Sequence, residues 1–199
     1  PRTPGFPIPK VLNQANYYVE PKATSVAVGL LNARVNPSDL TADLSQVYAN
    51  PDPRTYPLSS YSYMIIPKDL SPPFNNEKGR TLYDFAYYFL CEGQQQADAL
   101  GYSPLPINLV QAGIDQVNQI PGATKKLDPN NRGGGHNPTV SPDGGNLVAK
   151  NAPQPSPCDK LGAGTQCAAG TGGTPGPTST PTPLSPPPTP PPGPGPGGG

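Results

Sequence analysis

The segment Tyr56–Ile66, YPLSSYSYMII, sets the tightest limit on what this chain can become. It carries no charge and Pro67 closes it. A run this rich in tyrosine and isoleucine between turn residues reads as a β-strand. Alternation puts Leu58, Ser60, Ser62, Met64 and Ile66 on one side and Ser59, Tyr61, Tyr63 and Ile65 on the other. Since neither side is charged, both faces need cover, as in an α/β sheet with helices above and below. One strand makes no sheet, and the rest of the sequence offers only short strand pieces at Val11-Leu12 and Tyr17-Tyr18-Val19. The segment therefore needs partners that are hard to find elsewhere in the sequence.

The helical signal lies mostly in Thr81–Ile120. Thr81 with Asp84 three residues on is a weak capping pattern, and Leu82, Phe85, Phe89 and Leu90 then recur at helical spacing. Gly93 interrupts the run, and Gly101 ends a second short helix over the Gln94–Ala99 region. Pro104 and Pro106 stiffen the connector that follows, and Pro106 suits the first turn of a third helix. Leu109, Val110, Ile114, Val117 and Ile120 give that helix a buried stripe, and Pro121-Gly122 stops it. Upstream, a helix is expected from about Lys22 to Ala33, with Ala23, Val26, Ala27, Leu30 and Leu31 inward and Asn36-Pro37 at its end. Leu40, Leu44, Val47 and Tyr48 suggest one further helical turn.

Composition shifts sharply after Gly122. The chain holds 33 Pro and 23 Gly, and these concentrate in its last third, so a packed core must come from the first part. Residues 1–122 form the core-bearing portion, 123–167 an extended, loop-rich segment, and 168–199 a disordered Pro/Gly-rich spacer. Lys125 to Lys150 is polar and turn-rich, and Val140, Leu147 and Val148 are its side chains expected to dock on a neighbour. The spacer reads as polyproline II, reaching roughly 70 Å at ~3.1 Å per residue. Cys158 and Cys167 bracket a short Gly-rich loop. Two thiols held that close suggest a disulfide in an oxidising compartment, or two exposed thiols in a reducing one. Cys91, between Leu90 and Glu92, reads as a small buried hydrophobe.

Catalytic and metal-binding patterns do not emerge. His136 stands alone in a Gly-rich loop, with no nucleophile pattern and no second ligand at metal spacing. Asp84, Glu92, Asp98 and Asp115 read as a solvated helix face, with Arg80–Asp84 an i,i+4 pair. Glycines 133–135 follow no strand and open no helix, so they match no phosphate-binding loop. Ser59, Ser60 and Tyr61 could turn hydroxyls and backbone N–H groups toward an anion, or sit as buried, hydrogen-bonded strand residues. Net charge is zero, with 13 basic and 13 acidic residues and no basic patch interleaved with aromatics, which argues against nucleic acid as a partner. No apolar run is long enough to cross a bilayer. No enzyme, metal or cofactor is expected.

Three stretches carry a family resemblance: YPLSSYSYMIIP, KGRTLYDFAYYFLCEGQQQADALGYSPLP and INLVQAGIDQVNQIPG. PKVLNQANYYVEPKATSVAVGLL, DLSQVYANPDPRTYP and NPTVSPDG through TQC extend it over roughly Phe6 to Cys167. The chain resembles the C-terminal part of actinobacterial phosphate-binding proteins of ABC uptake systems, in the type 2 periplasmic-binding-protein superfamily. The resemblance implies an α/β fold in which 1–122 is the C-terminal portion of a two-lobed domain that closes on its ligand. It implies inorganic phosphate as ligand, a membrane permease as partner, and an extracellular, cell-envelope-associated location. Family phosphate contacts come from Ser/Thr-rich loops at helix N-termini with an Asp and an Arg, and none of these maps onto a residue here. Relatives also carry a cysteine in the turn that reads Gly135-His136-Asn137-Pro138 here, which would leave Cys91 or another thiol without a mate. A surface adhesion protein reusing the fold is the alternative expectation, and a phosphatase a weaker third.

Overall fold

A computed structural model describes residues 8–37, 41–123, 137–141, 144–165 and 167. Leu40, glycines 133–135, His136 and the 168–199 spacer lie outside the described residues. The protein is mixed α/β, with two small antiparallel ladders and a set of helices among the described residues. In the first ladder β1 (Val11–Leu12) pairs with β2 (Tyr18–Val19), joining Val11 to Val19 and Leu12 to Tyr18. Asn13 turns the chain between them: its Oδ1 accepts from the Tyr17 amide at 3.0 Å, and its Nδ2 donates to the Pro53 and Thr55 carbonyls at 2.9 and 3.0 Å. In the second, β3 (Arg34–Val35) pairs with β4 (Ala42–Asp43).

Helix α1 (Ala23–Leu30) occupies the middle of the expected Lys22–Ala33 span and buries Ala27, Val28 and Leu30. The single turn α2 (Ser45–Tyr48) buries Val47 completely against Leu30, Ala33 and Leu109. Helix α3 runs over Asn76–Leu90, and so begins five residues before the expected cap at Thr81. Its cap is Asn75, in extended conformation, whose side chain accepts from the Lys78 amide at 3.0 Å. Thr81 lies inside the helix and donates its hydroxyl back to the Glu77 carbonyl at 3.2 Å. The expected second helix is a 3-10 turn over Glu92–Gln96. Helix α4 (Ile107–Val117) follows Pro106 as expected and buries Leu109, Val110 and Val117. A last turn, α5 (Leu147–Lys150), is capped by Asn146.

The buried face of α3 differs from the aliphatic and phenylalanine stripe read from the sequence. Tyr83, Ala86 and Leu90 pack with Val117 and Ile120 of the α4 segment, with Leu82 at the margin. Phe85 and Phe89 lie exposed, rings stacked with centroids 6.5 Å apart. Small residues decide this, because α4 can approach only where α3 presents little bulk. A Cβ built on Gly79 would overlap the Pro121 carbonyl oxygen, and Gly122, at φ +87°, sits against the Asn76 backbone. The two glycines thus lock the first turn of α3 onto the end of the α4 segment.

The 137–165 region returns to the α1 layer. Ala149 and Ala152 bury against Val28, rather than the expected Val140, Leu147 and Val148 carrying the contact. Lys10 and Asp159 form a part-buried ion pair at 2.6 Å, and the Leu161 amide donates to the Asn16 carbonyl at 2.8 Å. Cys158 and Cys167 are joined by a disulfide with Cα atoms 5.0 Å apart. Among the described residues no helix is long and apolar enough to cross a membrane.

Candidate functional site

The expected strand Tyr56–Ile66 forms no ladder. Its start is fixed on α1, where the Tyr56 amide donates to the Ser25 carbonyl at 3.1 Å. Ser59 is buried beneath it and donates its hydroxyl to the Tyr56 carbonyl at 2.6 Å. From Ser60 to Lys68 the chain is neither helix nor strand, and among the described residues its backbone makes no backbone–backbone hydrogen bond. Side chains hold it in place. Tyr61 packs on the α1–α2–α4 cluster, Ile66 on the α3–α4 cluster, and the Tyr63 hydroxyl oxygen accepts from the Ala42 amide of β4 at 2.8 Å. Between those anchors Ser62, Tyr63, Met64 and Ile65 are exposed, Ile65 to 90%.

An open groove of about 550 Å³ runs beside this segment. It is lined by Tyr61–Ile66 and by residues of α3 and α4, among them Ala86, Leu90, Leu109 and Gly113. Phe89, from the exposed phenylalanine pair, also contributes, and Lys68 is the one charged residue in the described lining. Burial beside the groove pushes the Tyr61 phenol up to about 12, helped by Tyr63, whose ring centroid is 5.4 Å away. Cys91, at the end of α3, is a buried free thiol whose ionisation burial pushes upward.

The three residues singled out as possible anion contacts are not brought together. The Ser59 hydroxyl donates its hydrogen bond to a backbone carbonyl, Ser60 is exposed, and Tyr61 turns to the apolar groove. A second, smaller cleft of about 130 Å³ is polar, lined by Lys10, Glu20, Lys22, Arg54 and Asp159 among others. Its cations are matched: Lys10 with Asp159, Lys22 with Glu20 at 3.0 Å, and Arg54 with Asp52 at 2.6 Å. The Arg54 guanidinium holds the Asp52 carboxyl below its ordinary range and donates a further bond to the Ala149 carbonyl at 2.9 Å. That cleft is a neutralised brace for α5. Among the described residues no group of three or more His, Cys, Asp or Glu is placed to hold a metal ion.

Sequence reading missed the side-chain amides that position the groove. Gln94 accepts from the Leu105 amide and donates to the Phe89 carbonyl, both at 2.7 Å, so it ties the end of α3 to the Pro-rich connector. Asn108 reaches from α4 to the Leu30 carbonyl at 3.1 Å, and Asn137 donates to the Leu90 carbonyl at 2.6 Å. The partners of Asn108 and Asn137 lie 78 and 47 residues away in the chain, and those of Gln94, nearer by, fit no capping or helical spacing, so local pattern carries no trace of them. Compared with known proteins, this chain matches no family model, no curated protein and no solved structure.

Proposed function

We propose that this chain is the C-terminal part of an extracellular solute-binding protein that captures inorganic phosphate and delivers it to a membrane permease. The observation that carries the reading is the unladdered segment Ser60–Lys68 over an apolar groove. A run unpaired by other backbone, uncharged up to Pro67 and with helices packed beside it, supports the reading of one side of a sheet in a two-lobed α/β binding protein of the type 2 periplasmic class. The residues of the resemblance, YPLSSYSYMIIP and GYSPLP above all, support phosphate as the ligand. The groups that grip the anion then belong to the other part of the clamshell, in keeping with the matched charges of the polar cleft. Capture needs no bond chemistry, only closure around the ligand. The test is calorimetry on the protein expressed together with its adjoining upstream coding sequence. Binding of inorganic phosphate in the micromolar range is expected. Absence of heat, or affinity for cell-wall polymer in its place, rejects phosphate transport and favours surface adhesion.

A further inference from the structure

We infer that Ser60–Pro67 is the receiving edge for one extended, uncharged β-strand supplied by a polypeptide outside these 199 residues. The inference shares the unladdered segment with the proposed function, but it does not depend on the ligand. Its first support is the backbone. The segment runs without turn or bend, and its amides and carbonyls are unpaired by other backbone among the described residues. A lipid, a small apolar molecule or the side of a helix would cover the groove and leave those groups without partners. A strand alone supplies donors and acceptors at the matching repeat.

The lining gives the occupant's chemistry. Apolar side chains dominate it, so a charge carried into its middle would be stranded without a partner. Lys68, the one cation of the described lining, sits beyond the far end of the segment and can meet a carboxylate only at the end of the incoming strand. The edge is also prepared in advance. Tyr61, Ile66 and the Tyr63 bond to Ala42 fix both ends before anything binds, which lowers the ordering penalty of association. Eight residues at ~3.3 Å each give an edge about 26 Å long.

The test uses the isotope-labelled 199-residue chain and an acetylated, amidated hexapeptide of alternating valine and threonine. Binding should shift the amide resonances of Tyr61–Ile66 and slow their hydrogen exchange. N-methylation of alternate peptide residues should weaken binding by at least about tenfold, because it removes ladder donors. In the chain itself, Met64→Pro and Ile65→Pro alter exposed positions and should leave the melting temperature unchanged, while one of the two abolishes peptide binding. Equal binding of the methylated peptide, or no response at millimolar peptide, would overturn the inference. So would a dimer of the chain in which these amides are already protected by a second copy.

Discussion

Tyr61 is where burial and chemistry meet most measurably. Its folded phenol holds its proton up to about 12, whereas the unfolded chain releases it at the ordinary 10. The stability this contributes is complete below pH 10 and is lost as pH rises toward 12, because the unfolded state alone has ionised in that window. Urea midpoints measured across it should therefore fall more steeply for the native chain than for Tyr61→Phe. Equal slopes would show that Tyr61 is solvated. Gln94 offers a second test at this scale. Gln94→Met keeps the volume but strands the Phe89 carbonyl and the Leu105 amide, a loss of about 2 kcal/mol in urea unfolding. Little of this was readable in advance. Ser59, Ser60 and Tyr61 look alike as hydroxyl donors in sequence, and only the fold shows that Ser59 serves the Tyr56 carbonyl while Tyr61 faces a groove.

Among the elements, α4 was the most legible. Proline before it, an aliphatic stripe along it and Pro-Gly after it are local signals, and local signals survive folding. Helix α3 was harder because its cap, Asn75, follows a proline pair and precedes charged residues, so the apolar rhythm starts a turn later than the helix. Its buried face differs from the stripe read in sequence: Gly79 and Ala86 let the α4 segment come close, Tyr83 and Leu90 pack beside them, and Phe85 and Phe89 stay exposed. Gly79→Ala tests that close approach. The added methyl meets the Pro121 carbonyl, a backbone atom that has no rotamer to give, and should lower stability by roughly 3 kcal/mol. Ala86→Gly, buried at the same contact, should cost more than the about 1 kcal/mol of helix propensity, and a loss no larger than that would show that Ala86 does not carry the α3–α4 packing.

At the scale of the whole molecule, the apolar interior of the described residues is divided into three small clusters, two of which share Leu105 at their margins. Long-range pins close the chain: the Lys10–Asp159 ion pair, the Arg54 brace on α5 and the amide bonds of Asn108 and Asn137. The mixed α/β character was legible in the helical stretches and in the short pieces at Val11-Leu12 and Tyr17-Tyr18-Val19, whereas nothing in the sequence pointed to the pairing of β3 with β4. Tyr56–Ile66 reads as a strand yet joins no ladder among the described residues, because strand composition is local and pairing is not. On the proposed reading, the exposed Phe85–Phe89 pair and Met64–Ile65 await cover from the rest of the sheet and its helices. Hydrogen exchange at the Tyr61–Ile66 amides tests this most directly, measured in the 199-residue chain and again in the protein extended by its upstream coding sequence. Rapid exchange in the first and strong protection in the second are expected. Slow exchange in the chain alone, or equally rapid exchange in both, would contradict the incomplete sheet on which the proposed function rests.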